Sequence, residues 1–545
     1  MFQRRKLSRD VQLRLGPPSR PSTSWCGQRG LSAPCAEPQP QDPRHYGVTR
    51  RGHAKTGPTR ARFLLESLAD LRARLRALGS DLLVLRETPE RGLLSLAAAA
   101  SSPCLVLVQE EPASEEAAVA AAVEAALAAL PGGHALLRVW GRTLLHRDDL
   151  PFEADLSDLP PAFTPFRTAV EDPRTGAPIR DVLPTAALPA GALPLPPAAQ
   201  LAAAGQLDPL PGLGDLGFSA AEAAAAAAPD PRAVLVWRGG ETAALARLEH
   251  FIWGCGALAT YFDTRDALLG ADGSSKLSPW VAHGCLSPRL VAAECRRFER
   301  ERVRNKSTYW LVNELIWRDY LHFCSLAHGV RLFQAGGFAG VEWEWRADPA
   351  GFAAWKAGRT GYPLVDAAMR ELAATGFTSN RGRQVVASFL TQMLGVDWRL
   401  GAEHFEASLD DYDCASNWGN WQLLAGVTGG RVNVFNPQKQ SRDYDAEGAY
   451  VRTWLPELAR VPLKYVHTPW QMPPDVQLRS GCVLGADYPR RLSEEVRGPA
   501  GGAGSDRGKG NREGGKARDQ RRGTGGKSDR RSNARGRMSE FERYD

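Results

Sequence analysis

The stretch Asp410-Asp411-Tyr412-Asp413-Cys414-Ala415-Ser416-Asn417-Trp418-Gly419-Asn420-Trp421 constrains this chain more than any other. Acids, amides and two indoles crowd into a few turns of backbone. Ordinary core does not look like this, because buried carboxylates need partners. Ordinary surface does not either, because it rarely carries paired tryptophans. A planar, polar, electron-accepting ligand engages all of these groups at once. Trp398 and Trp345 lie upstream and supply further indoles for relaying an electron. A calcium loop is the rival reading of the aspartates. It fails, because Ala415 occupies a ligand position and the glycine and closing glutamate are misplaced. The sequence gives no evidence for a metal.

With 545 residues, more than one domain is expected. A hydrophobic fraction of 43% and 15 tryptophans imply a large core. No apolar run reaches the length of a membrane span. The nine cysteines are odd in number, scattered and in no CxxC pair. That pattern reads as a reduced compartment without a zinc site. The net charge of +7 hides a division along the chain. Residues 1–62 hold 13 basic and 3 acidic side chains, and residues 497–545 hold 14 and 7. The intervening body therefore keeps 41 basic against 51 acidic residues. Nucleic-acid contact by this acidic body must come from a local patch rather than its global field.

Residues 1–41 are rich in Arg, Ser and Pro and nearly free of acids, as in a basic extension or an organelle transit peptide. A chloroplast or mitochondrion is the compartment this suggests, with cytoplasm or nucleus as the alternative. Residues 42–150 read as an α/β domain: helices over 62–78 and 114–129, and buried strands over 81–85 and 104–108. Alternating helix and short apolar strand argues for a parallel sheet. Residues 151–235 are a Pro-, Gly- and Ala-rich connector. Residues 236–480 are mainly helical, with helices expected over 242–261, 287–303, 307–328, 349–357, 364–375, 381–394 and 402–409. Residues 481–545 form a Gly/Arg-rich tail with the composition of disorder.

Three further segments carry chemistry. Ser274-Ser275-Lys276-Leu277-Ser278-Pro279 combines hydroxyls, free amides and a lysine at a helix start. Ser278 suits the N-cap and Pro279 the first helical position. The combination favours a pyrophosphate, although plain helix capping explains it equally well in isolation. On the helix around 310–319, Glu314 and Arg318 share one face, and Trp310 and Trp317 share another. An ion pair beside two core aromatics is the bland explanation. Asn380-Arg381-Gly382-Arg383-Gln384 opens another helix, whose arginines suit the 410–413 acids or phosphates.

Taken together, Tyr261 with Asp263-Thr264-Arg265, SSKLSPW at 274–280, NELIWRDY at 313–320, GYPLVDAAMREL at 361–372, SNRGRQ at 379–384, DDYDCASNWGNW at 410–421 and RTWLPEL at 452–458 resemble the photolyase/cryptochrome family. Their order and spacing match over about 240 residues. The details are similar to the DASH-type cryptochromes: Gln384 stands where other photolyases usually carry Met. DPRHYG at 42–47 and KTGPTRARFLLESLADLR at 55–72 resemble that group's N-terminal domain.

The resemblance implies an α/β N-terminal domain with a parallel sheet, followed by an all-α domain that holds FAD folded into a U. Tyr261, Ser274, Ser275, Lys276, Leu277 and Ser278 would hold the flavin phosphates and ribityl. Arg318, Asp411 and Asp413 would line the cofactor, Arg383 would pair with Asp411, and Asn417 would face flavin N5. Trp421, Trp398 and Trp345 match the indoles that photoreduce the flavin. Glu314, Trp317 and Asn380 match positions that contact a cyclobutane pyrimidine dimer, with Arg265 and Gln384 toward the DNA. The implied activity is light-driven repair of such dimers in single-stranded DNA, with RNA as a second nucleic-acid partner. The alternative is a photoreceptor or nucleic-acid-binding regulator without turnover. A monomer and a methenyltetrahydrofolate antenna touching Glu111 complete the expectation.

Two departures stand out. The apolar strand and WFRNDLRLHDN-like motif that open the family's α/β domain have no counterpart here, so the sheet is expected to be incomplete. Such a sheet leaves unpaired edges and exposed apolar faces. Leu423 occupies a site where relatives usually place an aromatic against the lesion, a stacking contact worth about 1–3 kcal/mol.

Overall fold

A computed structural model describes residues 49–50, 53–85, 88–100, 102–182, 210–430 and 432–492. The expected extension, the 42–47 motif, residues 183–209 of the connector and residues 493–545 of the expected tail lie outside the described residues. Residues 481–492, expected as disordered tail, are instead packed: Cys482, Leu484 and Tyr488 are buried, and the Tyr488 hydroxyl donates to Asp366 at 2.6 Å.

The N-terminal part is α/β. Helix α1 (Pro58–Ala77) has its proline in the first turn, and the backbone turns left-handed at Gly79, the expected stop. Helix α2 (Pro89–Ala98) follows, capped by the Thr88 side chain. Strand β1 (Leu105–Gln109) then leads through α3 (Ser114–Ala128) to β2 (Ala135–Val139). The strands pair in parallel, with Leu107 opposite Leu137. The helix between them supplies the crossover that parallel strands require. Val106 and Leu136 face a small cluster of Ala97, Val123 and Leu127. The other face stands open: Leu105, Leu107 and Leu137 are 58%, 54% and 48% exposed. Among the described residues the parallel sheet has two strands, in line with the incomplete sheet expected from sequence, and this face is exposed apolar surface. Residues 81–85, expected as a strand, form no ladder. Asp81 instead ties back to α1 through Arg72 and Arg76, and Leu82 is buried.

The main core lies elsewhere. It joins Phe63 of α1 to Trp140, Leu144, Leu145, Phe163 and Phe166 of the connecting region, and then to the helical half. Helix α4 (Phe163–Val170) buries both of its phenylalanines, so this stretch of connector is structural. Among the helices that follow, α5 is Ala220–Ala227, α6 Glu241–Glu249, α7 Pro288–Glu301, α8 Lys306–His328, α9 Pro349–Lys356, α10 Pro363–Thr375, α11 Asn380–Ser388, α12 Trp398–Ser408 and α13 Cys414–Ala425. The expected helices over 242–261 and 381–394 are interrupted by π-helical turns at His250–Gly254 and Phe389–Met393. Such turns often mark functional positions. No helix among the described residues is long and apolar enough to cross a membrane.

Helix α8 organises the site. Asn305 and Thr308 form a reciprocal cap at its start, and Gly329 follows its end with φ of +53°. Asp319 on α8 is fully buried and accepts the amides of Leu144 (3.0 Å) and Leu145 (2.7 Å), which pins the connector to the helix. Helix α13 packs against both α8 and α12. It begins at Asp413, whose carboxylate accepts the Ser416 amide at 3.0 Å, and ends at Gly426 with φ of +77°.

Candidate functional site

Glu314, Arg318 and His322 repeat every fourth residue along one stripe of α8. They do not pair with one another as a surface stripe would. Glu314 Oε2 accepts the Tyr261 hydroxyl in a short hydrogen bond, and Oε1 lies 3.2 Å from Arg265 Nη1. Burial raises the Glu314 pKa against the pull of Arg265 and Tyr261. Arg265 also stacks over Trp310, 5.1 Å from the ring centroid. Trp317 packs on Phe163, with ring centroids 4.4 Å apart. Its Nε1 donates to Asn420 Oδ1 at 3.4 Å. Asn380 is exposed at the start of α11.

The 271–278 loop is shaped from behind by Arg247. Its guanidinium holds the carbonyls of Ala271 (2.9 Å), Ser274 (3.1 Å) and Ser275 (2.9 Å), and Asp272 Oδ1 at 2.7 Å. In a trans peptide the N–H opposes the C=O. The amides of Ser275 and Lys276 therefore face away from Arg247, as an anion-binding loop requires. Lys276 is a non-glycine residue at φ of +52°, a strained conformation of the kind kept at ligand sites. Its side chain is buried, with Nζ 3.4 Å from Ser274 Oγ, and desolvation lowers its pKa to about 8. The helical assignment begins at Ser278 itself, after Leu277, and no side chain caps it. The Ser278 N-cap expected from sequence is not formed, because the left-handed turn at Lys276 sets the helix entry. Nearby, the Glu371 carboxyl accepts the Tyr450 hydroxyl at 2.6 Å, and burial raises its pKa to about 7.

The aspartates of the 410–413 segment have separate environments. Burial raises the Asp410 pKa to about 7. Asp411 Oδ2 pairs with Arg383 Nη2 at 2.8 Å, the pairing the resemblance implied, while its buried Oδ1 has no partner. Asp413 is an anchor. Arg318 Nη2 (2.9 Å), Arg142 Nη2 (3.1 Å) and His322 Nε2 (3.1 Å) converge on Oδ2. Burial alone would raise its pKa, but His322, Arg318 and Arg142 hold it well below the carboxylate range. Arg318, expected beside the cofactor, is thus committed to Asp413 and to the Arg142 carbonyl at 2.8 Å. Arg142 Nη1 also reaches Glu111 Oε2 at 2.6 Å. Asn417 is buried on the next turn of α13 and donates to the Ala402 carbonyl at 3.0 Å. Gln384 lies one residue after Arg383, with a buried Oε1 lacking a partner.

Trp421 and Trp398 are buried, and Trp345 is half-buried. Trp421 contacts Trp355 (ring centroids 6.1 Å apart) and Phe405 (5.2 Å), and Trp398 contacts Trp418 (5.7 Å). Gly401 makes room for this packing: a Cβ there would lie 2.3 Å from the Trp421 ring. Sequence reasoning passed over Arg142, Arg247, His322 and Trp355. His322 was detectable as the next i+4 step after Arg318. Arg142 and Arg247 stand far in sequence from their partners and gave no local signal.

The residues present fit a flavin dinucleotide. A buried lysine, outward-turned loop amides and partnerless polar atoms on Asp411 and Gln384 are groups that a polar ligand satisfies. Glu111, expected beside a folate antenna, pairs through Oε2 with Arg142 at 2.6 Å.

Residues 310–497 match the family model described as the FAD binding domain of DNA photolyase, and residues 40–188 match that of DNA photolyase. A cryptochrome DASH of Gloeobacter violaceus is 48% identical over 453 residues, covering 82% of this chain and 85% of the relative. The chloroplastic/mitochondrial cryptochrome DASH of Ostreococcus tauri is 45% identical over 467 residues, 83% of each chain. The crystal structure of the Synechocystis cryptochrome superposes with a TM-score of 0.74 at 42% identity, covering 83% of this chain and 89% of that one. A class III photolyase of Agrobacterium tumefaciens gives 0.64 at 29% identity, over 79% and 85%. With two family models, close relatives and the fold in agreement, this chain belongs to the photolyase/cryptochrome family, as a blue-light, FAD-binding flavoprotein of the DASH type.

Proposed function

We propose that this protein repairs cyclobutane pyrimidine dimers in single-stranded DNA under blue light. The observation that carries the reading is the Glu314 group: one carboxyl held between the Tyr261 hydroxyl and the Arg265 guanidinium, with its pKa raised by burial. Reduced FAD, when bound, would supply the photoexcited electron that opens the dimer and take it back once the ring has split. The chain's own residues do the rest. Glu314 offers a hydrogen bond to a dimer carbonyl and stabilises the charge that grows there. Arg265 balances that charge, and Trp317 presents an indole face to the extruded bases. Extrusion is cheapest from a single strand, where no pairing is lost. Ser275 and Lys276 would hold the cofactor phosphates, and Arg383, 2.8 Å from Asp411, would keep that carboxylate in place for the flavin. Trp421, Trp398 and Trp345 carry the electron that reduces the flavin.

A photoreceptor without turnover is the second reading. Leu423, half-buried where an aromatic would stack on the lesion, favours it. For the compartment we favour an organelle, from the acid-poor residues 1–41 and the name of the Ostreococcus relative.

The test is repair of dimer-containing oligonucleotides, single- and double-stranded, under blue light. Repair of the single strand that collapses in Glu314→Gln supports the enzyme. Normal flavin photoreduction without any repair supports the receptor.

A further inference from the structure

The cysteine spacing predicted no zinc site, yet three donor side chains, two from one helical turn and one from the 271–276 loop, meet at the edge of that loop. His250 opens the π-helical turn His250–Gly254, Cys255 follows it, and Asp272 begins the loop. One donor atom from each lies within 4.8 Å of the others. His250 Nε2 stands 3.2 Å and 3.3 Å from the two Asp272 oxygens. Zinc bonds of about 2.0–2.1 Å to N and O, at a tetrahedral angle, place such ligand atoms about 3.3 Å apart. The imidazole and carboxylate thus already hold the separation that one ion imposes. Cys255 Sγ, which donates to the Phe251 carbonyl at 3.6 Å, exchanges that weak hydrogen bond for the ion.

Arg247 makes the outer layer of this arrangement. It donates to Asp272 Oδ1 at 2.7 Å and holds the loop carbonyls with its other nitrogens. A donor behind a ligating carboxylate fixes its orientation. It also draws charge from the oxygen. That disfavours a hard cation such as Mg²⁺ or Ca²⁺ and leaves affinity to the nitrogen and sulfur donors. His250 and Cys255 are exposed, so an ion and a water for the fourth position have free access.

We propose that His250, Cys255 and Asp272 form a binding site for a borderline transition-metal cation, Zn²⁺ or its spectroscopic substitute Co²⁺. The ion binds the imidazole in its neutral form and the cysteine as thiolate, and the thiol proton leaves to solvent. An ion there ties the π-helical turn to the loop that presents the Ser275 and Lys276 amides. Metal occupancy then slows loss of the flavin and, by linkage, the flavin tightens the metal. This second effect rests on the proposed phosphate-holding role of the loop, whereas the metal site itself does not.

The experiment is titration of full-length, flavin-loaded protein with Co²⁺ in the dark. The readout is the set of d–d bands of tetrahedral thiolate cobalt, at wavelengths longer than oxidised flavin absorbs. The expected result is one equivalent of Co²⁺, displaced by Zn²⁺. Cys255→Ser should lose the bands, and His250→Gln, which removes a direct ligand, should weaken binding by more than the roughly tenfold that losing an outer-shell partner costs. Both side chains are exposed, and an unchanged flavin content would confirm that the variants fold. Absence of the bands in wild type, or their persistence undiminished in Cys255→Ser, overturns the site. Flavin release timed with and without Zn²⁺ tests the linkage. If Co²⁺ binds as described but the release rate does not change, the metal site stands and its coupling to the phosphate loop falls.

Discussion

Arg142 places one nitrogen 2.6 Å from Glu111 and another 3.1 Å from Asp413, so a single guanidinium joins the α/β half to the start of α13. Arg142 is 5% exposed at its side chain, so these are buried ion pairs. Removing one member of a buried pair typically costs about 3–5 kcal/mol. Arg142→Met should fall at the lower end, about 3 kcal/mol, because Arg318 and His322 still face Asp413. Urea unfolding of the flavin-loaded protein measures this, and a loss under about 1 kcal/mol would put the pair in the class of surface bridges. The pH dependence has a defined sign. The folded Asp413 pKa lies well below its unfolded value of about 3.9. Its contribution is therefore complete above about pH 5 and disappears only as pH falls through the folded pKa.

The same contact offers a test of the proposed folate antenna. With Glu111 engaged, protein reconstituted with FAD and methenyltetrahydrofolate should retain the flavin and little folate. Arg142→Ser should raise folate retention. Equal, stoichiometric folate in both proteins, measured by absorbance after gel filtration, would refute the idea that Arg142 blocks this carboxylate.

If Lys276 holds a flavin phosphate as proposed, flavin binding should be pH-dependent. Burial lowers its pKa from 10.5 to about 8 in the absence of an anion. A phosphate beside it restores the charge. At pH 9, FAD binding should therefore take up about one proton, against almost none at pH 6. Affinity should decline as pH rises above 8. Calorimetry in two buffers of different ionisation enthalpy reads the proton directly, and Lys276→Met should abolish the uptake while weakening binding. Proton uptake unchanged in the variant would assign it to another group, with Glu371 next to be tested.

Trp421 depends on the missing side chain of Gly401. A methyl group there would meet the indole at 2.3 Å, so Gly401→Ala should destabilise by about 1–3 kcal/mol and displace the ring. Photoreduction of bound flavin should slow several-fold in Gly401→Ala and much further in Trp421→Phe and Trp398→Phe. Repair by chemically reduced protein should stay near wild type in all three. Transient absorption separates the two steps. A variant in which photoreduction keeps its wild-type rate would remove that indole from the relay.

Much of the helical half was legible beforehand. The helices over 306–328 and 363–375 follow from apolar periodicity, caps and Gly/Pro stops, all carried within a few residues of chain. The Arg383–Asp411 pair was also anticipated, because both partners lie in recognisable motifs. The π-helical turns were not, because they preserve the same apolar pattern while changing the hydrogen-bond step. Residues 81–85 misled for the opposite reason. Their apolar run suits a strand, but a strand exists only where a partner offers its backbone.

By itself, the sequence determined where several of the long helices lie and which clusters of acids, amides and indoles belong together. These are properties of neighbours along the chain, where steric and periodic rules act. Tertiary structure alone decided how the charges divide. It gave Arg318 to Asp413 rather than Glu314, turned the carbonyls of Ala271, Ser274 and Ser275 onto Arg247, and set Arg142 between Glu111, 31 residues away, and Asp413, 271 residues away. Ion pairing depends on distance in space and on exclusion of water, and neither quantity is written in the order of the residues.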